Sequence, residues 1–123
     1  MDRYLMVMIG AAFGGLARYV IGGVVMQRFG GRFPLGTLIV NVSGCFLIGV
    51  LMTLLTERLQ PHPNWRLLLI TGVLGGYTTF STFAWETFQS VDEGSRLMGL
   101  ANVVLSVAGG YLAVWCGALI GRR

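Results

Sequence analysis

The sequence predicts an all-α membrane protein, a single domain (1–123) of four transmembrane helices with the third broken at its centre. Three observations carry this. Of the 123 residues, 54% are hydrophobic and 11% charged, against the roughly 25% charged residues of an ordinary soluble domain. The chain divides into four stretches of nearly uncharged sequence, at about 4–26, 35–55, 67–88 and 97–120, each near the ~20 residues of helix that cross a bilayer core. The third stretch alone carries a dense polar run in its middle.

The first span runs from Tyr4 to Met26 and contains Arg18. Its apolar core is too long for a signal peptide and no small-residue cleavage site precedes a soluble domain, so it is expected to be a retained helix. Gly10, Gly14 and Gly22 share a helical row with Arg18 between them. Gly72 with Gly76 and Gly117 with Gly121 make small-xxx-small pairs that allow close helix approach. Packing within the bundle is their commonest meaning. In the second span Thr37, Asn41 and Gly44 fall on one face. Asn41 is a candidate donor to an anion or an interhelical hydrogen bond holding the bundle together. Asn102 and Ser106 repeat the spacing in the fourth span.

The middle of the third span reads Gly75-Gly76-Tyr77-Thr78-Thr79-Phe80-Ser81-Thr82-Phe83. Paired glycines and β-branched threonines lower helix propensity, and irregular backbone at membrane depth is tolerated only where protein or a water-lined cavity satisfies it. Two outcomes are open: a break that aims carbonyls and hydroxyls inward, or an intact helix whose hydroxyls bond back one turn. Phe80 and Phe83, three apart, face one side of any helical continuation. Arg18 lies well inside its span, where a charge must face water or a partner; it either snorkels or draws anions into a vestibule. Glu86, one turn after Thr82, is expected at a pore mouth or in an ion pair.

Charge excludes some classes and leaves orientation open. The net charge is +4, all of the basic residues are arginine, and no basic face is long enough to follow nucleic-acid phosphates. If the spans alternate, Arg3, Arg58, Arg66, Arg122 and Arg123 share one side and Arg28, Arg32 and Arg96 the other. Five against three is a weak bias under the rule that basic loops stay cytoplasmic. It fits a misplaced boundary, or insertion in both orientations with pairing as antiparallel dimers. Four short helices enclose an aqueous path poorly alone, so oligomerisation is expected. Catalysis finds no support: His62 sits between two prolines, no carboxylate pair shares a membrane face, and Cys45 and Cys116 lie in apolar spans without a histidine at ligand spacing.

Taken together, residues 75–83, the preceding Gly36-Thr37-Leu38-Ile39-Val40-Asn41-Val42-Ser43-Gly44, and the early run from Gly10 to Arg18 closely resemble the CrcB/Fluc family of fluoride channels. The resemblance covers nearly the whole chain. It implies an antiparallel, dual-topology homodimer in the cell inner membrane, with two fluoride pathways and a structural sodium ion between subunits. It places the sodium on main-chain carbonyls of Gly75 and Thr78, the pathway phenylalanines at Phe80 and Phe83, and the pore asparagine at Asn41. It further implies passage of fluoride out of the cell, lowering its cytoplasmic concentration. Thr37, Ser81, Thr82 and Ser106 are expected along the pathway and Arg18 in its vestibule. Gly110, one turn beyond Ser106, interrupts the polar track that family members tend to continue.

The chemistry is compatible with that expectation. A small, strongly hydrated anion needs replacement donors, because its transfer unaided into a low-dielectric medium costs on the order of tens of kcal/mol. Hydroxyl and amide donors could supply part of the shell, and ring edges carry the positive part of the aromatic quadrupole. The competing expectation is a small dual-topology multidrug exporter. Such exporters depend on an acidic residue in the first helix, and this first span has none between Arg3 and Met26.

Overall fold

The computed structural model describes residues 2–123, and among them every regular element is helical. The first span is one helix, α1 (Arg3–Phe29), started by the Asp2 carboxylate, which accepts from Tyr4 N–H at 3.0 Å. The second is α2 (Leu35–Thr53), continued by a π-helical segment, Leu54–Arg58. The third comprises α3 (Pro63–Arg66), a π-helical segment (Leu67–Leu74), α4 (Gly75–Tyr77) and α5 (Phe80–Asp92). The fourth is α6 (Arg96–Arg122), capped by the Ser95 hydroxyl on Met98 N–H.

All four spans are long and apolar enough to cross a membrane, and the third has the lowest mean hydropathy, 1.4 against 2.3 for the second. The polar run causes that drop. Few large apolar side chains are buried: Val40, Leu55, Leu74 and Tyr77 form what core there is, while a majority of the leucines, valines and aromatics of α1 and α6 point outward. Exposed apolar surface on this scale is untenable in water and natural in lipid, where the chain is a multi-pass membrane protein.

The bundle is held by backbone-to-backbone approach instead. A Cβ on Gly76 would sit 2.7 Å from the Ala11 carbonyl oxygen, so α1 and the third span touch through their main chains there. Gly117 does the same for α6 on α2, facing the Phe46 carbonyl and Val50 N–H. Dispersion contacts from such close approach are what associates helices in lipid.

The third span is broken, with a bend of 15°, but the interruption is shifted from the glycines. Gly75 and Gly76 remain helical and the helix stops after Tyr77, with Thr78 and Thr79 extended (ψ 157° and 121°). Gly76 is used for packing against α1, and the two threonines, whose β-branching favours extended backbone, form the break.

Candidate functional site

The break lies midway along the third span, where its backbone groups must find partners inside the protein. Asn41 of α2 supplies two of them. Its Nδ2 donates to the Thr79 carbonyl and its Oδ1 accepts from Thr79 N–H, both at 2.8 Å. One side chain thus replaces a strand partner for a single extended residue. In a continuous helix Thr79 N–H would serve the Gly75 carbonyl, so the clamp frees that carbonyl from its helical donor. Thr82 N–H would likewise serve the Thr78 carbonyl but instead donates to Thr79 Oγ1 at 3.3 Å, capping α5.

Arg18 reaches the same region from α1. Its Nε donates to the Gly76 carbonyl at 3.2 Å, so it neither snorkels away nor stands free; Arg18 also borders a cavity of about 290 Å³ with Thr37, Thr79 and Thr82. A second cavity, about 330 Å³, lies on the other side of the clamp and is lined by Asn41, Cys45, Gly75, Thr78, Thr79 and Phe80. A third, about 280 Å³, opens toward the α5–α6 loop between Arg32, Thr37, Glu86, Ser90 and Glu93. Successive cavities share walls: Thr37 separates the outer from the middle one, and Thr79 the middle from the inner. Through these shared residues they form a line from the α5–α6 end of the bundle to the break.

Hydroxyls punctuate that line. Thr79 Oγ1 is 3.5 Å from Ser81 Oγ and donates to Thr82 Oγ1 at 3.2 Å. Thr37 donates to Glu86 Oε1 at 2.7 Å, while Oε2 is enclosed without a hydrogen-bond partner. Glu86 is therefore not in an ion pair; among the described residues the one salt bridge joins Arg122 to Glu57. Phe80 and Phe83 are neighbours, ring centroids 5.5 Å apart and tilted by 49°, with Phe80 78% exposed on the isolated chain. Ser106 is set apart. It lines none of the three cavities and its hydroxyl points to Asn102 Oδ1 at 3.5 Å, while Asn102 donates to Thr87 at 2.9 Å. At Gly110, where the polar track is interrupted, the Cys45 thiol fills the space.

Two participants escaped the sequence reading. Thr79 was part of the motif but singled out for nothing, although it is both the clamped residue and the cap of α5. Ser43 bonds the Tyr77 hydroxyl at 2.8 Å; its place two residues after Asn41 was the available signal. Asn41 itself was open between anion donor and helix glue. The geometry gives it the second role outright, and the other N–H of its amide leaves one donor for the first.

A helical bundle with a pinned break in one span, hydroxyl and amide groups gathered around it and cavities on either side has the architecture of a membrane conduction protein. Comparison with known proteins places it further: residues 5–118 match the family described as CrcB-like protein, Camphor Resistance (CrcB), and the chain belongs to that family. It is 61% identical to a "Fluoride-specific ion channel FluC" of Solibacter usitatus (strain Ellin6076), over 98% of this chain and 99% of the relative. Proteins of the same name from Acidobacterium capsulatum and Coxiella burnetii (strain CbuK_Q154) are 46% and 44% identical, covering 98% and 97% of this chain and 97% of each relative.

Proposed function

We propose that this chain is a fluoride-selective channel that lets fluoride leave the cell and so lowers its cytoplasmic concentration. The observation that carries the reading is the clamped break at Thr78–Thr79, which gathers hydroxyls, an amide and two aromatic rings at membrane depth. The names of relatives that match along their whole length support it, and none of those relatives is named as an exporter of drugs. In this reading Asn41, Ser81 and Thr82 replace water around the anion, Phe80 and Phe83 offer ring edges, and Arg18 and Thr37 serve the approach.

The working form is an antiparallel homodimer of chains inserted in both orientations. Phe80 and the inner cavity lie on an open side of the single chain, and the arginines are too evenly split to fix one orientation. A sodium ion belongs between the subunits. The donor set fits, since hard cations favour oxygen ligands and the Gly75 and Thr78 carbonyls lack their helical donors. A single chain offers too few such oxygens, and a second copy would double them. The ion would supply positive charge that holds the two breaks together.

Efflux from liposomes containing only this protein, read with fluoride- and chloride-selective electrodes, tests the function. Rapid fluoride loss without chloride loss is expected; no loss, or equal loss of both, overturns it. A C-terminal reporter found on one side of the membrane only would remove dual topology while leaving the conduction reading intact.

A further inference from the structure

The Asn41 clamp holds the carboxyl side of the break, and a second, separate contact holds its amino side. Tyr77 ends α4 and is 6% exposed. Its hydroxyl lies 2.8 Å from Ser43 Oγ, which itself lies 3.0 Å from the Val40 carbonyl. A carbonyl can only accept, so the serine proton goes to Val40 and the tyrosine proton to the serine: the direction of the chain is fixed. Gly44, next to Ser43, lies against the Tyr77 ring and the Thr78 methyl. Residues 41, 43 and 44 of α2 therefore hold three consecutive residues, Thr79, Tyr77 and Thr78.

We propose that the Tyr77–Ser43 hydroxyl pair is a positioning latch that fixes the end of α4, and with it the direction of the released Gly75 and Thr78 carbonyls. Without the latch, the end of α4 is held on its own helix by Thr78, whose N–H and hydroxyl each donate to the Leu74 carbonyl at 3.0 Å, and neither bond fixes the Tyr77 side chain. With it, Tyr77, one of the two residues between Gly75 and Thr78, cannot rotate, because its ring is buried and its hydroxyl is tied to a neighbouring helix. As a regulator of cation retention the proposal rests on the sodium reading above; as a latch on the backbone it does not.

The direction of the bond gives an unusual order of effects. Ser43→Ala leaves a buried tyrosine hydroxyl without an acceptor, whereas Tyr77→Phe leaves a serine still bonded to Val40. Stranding a buried polar group costs more than removing both members of a pair. Ser43→Ala should therefore be the more damaging variant, adding Tyr77→Phe to it should partly restore function, and Ser43→Thr should behave as the parent does. Fluoride flux in liposomes is measured against sodium concentration, with N-methylglucamine as replacement. Ser43→Ala is expected to raise the sodium needed for half-maximal flux by roughly tenfold, Tyr77→Phe by roughly threefold at most, and the double variant to match Tyr77→Phe. In parallel, hydrogen exchange of the peptide carrying Thr78 to Ser81 should accelerate in the same order. If parental flux ignores sodium, the sodium reading falls, and the exchange order alone decides the latch. Exchange equal in all variants, or Tyr77→Phe worse than Ser43→Ala, overturns the latch itself. Lower thermal stability in Ser43→Ala with an unmoved sodium curve reduces the pair to packing and also overturns the proposal.

Discussion

The α2–α6 seam and the break in the third span are built from overlapping residue types, small residues and threonines, and they use them oppositely. Along the seam, polar groups stay at home: Thr53 bonds the Gly49 and Val50 carbonyls of its own helix, and Thr56 bonds Met52. The helices then meet through glycine backbone. At the break, Asn41, Arg18 and Ser43 all reach out of their own helices to the third span. A hydroxyl that bonds back one turn adds nothing the helix lacked. A side chain that crosses to another helix allows irregular backbone to exist where no water can satisfy it.

Asn41→Leu should give the largest break in this comparison. It strands both the Thr79 N–H and its carbonyl, at about 1–3 kcal/mol for each buried group left unpaired, and it deletes the one amide donor facing the inner cavity. Fluoride efflux should fall at least about a hundredfold, since each ~1.4 kcal/mol is a factor of ten. Efflux within threefold of the parent would show that the break survives without its clamp.

Phe80→Ile and Phe83→Ile sharpen the comparison by sparing backbone and polar groups alike. Volume is largely kept, so the cost of a cavity is small, but the polarised ring edges are gone. Each variant should lose most fluoride flux, about tenfold or more, while running as an assembled protein on size exclusion. Parental flux in both would leave the rings a packing role only.

Gly117→Ala probes the seam. The new methyl would press on the Phe46 carbonyl and come within 3.0 Å of Val50 N, so the helices must part, at about 1–3 kcal/mol for overpacking. Thermal stability in detergent should drop and less protein should assemble, yet the fluoride-to-chloride ratio of the assembled fraction should not change. A changed ratio would mean the seam and the break are not independent.

Much of this division was legible in the sequence. Four uncharged stretches and short charged connections are enough to define the spans, because the bilayer dictates length and composition directly. The polar run in the third span marked where conduction chemistry had to be sought. What could not be read was the position of the break, since Gly75-Gly76 is the weaker helix former by propensity and Thr78-Thr79 gives way in fact. Propensity is a local quantity, whereas the need to seat Gly76 against Ala11 is set by another helix. The direction of each side chain was hidden for the same reason: Asn41 as glue or donor, and Glu86 as ion-paired or not, depend on what the facing helix presents. Ser106 shows the converse, a hydroxyl at a suggestive spacing that turns toward Asn102 on its own helix.

The smallest effect is expected where the seam ends in water. Glu57 and Arg122 pair at 3.2 Å with side chains 49% and 58% exposed, so solvent screens their attraction and the pair is worth about 0–1 kcal/mol. Glu57→Gln removes the acid without removing its bulk. It touches none of the groups at the break and should leave fluoride flux within about twofold and thermal stability within a degree or two. Orientation separates the two partners of the pair, because deleting an acid hardly alters how basic loops are sorted, whereas Arg122→Gln takes one arginine from the side that carries five and narrows an already slight excess. A C-terminal reporter should therefore shift in Arg122→Gln and stay put in Glu57→Gln. Equal shifts in both would mean that the ion pair, rather than the count of arginines, sets which way this end faces.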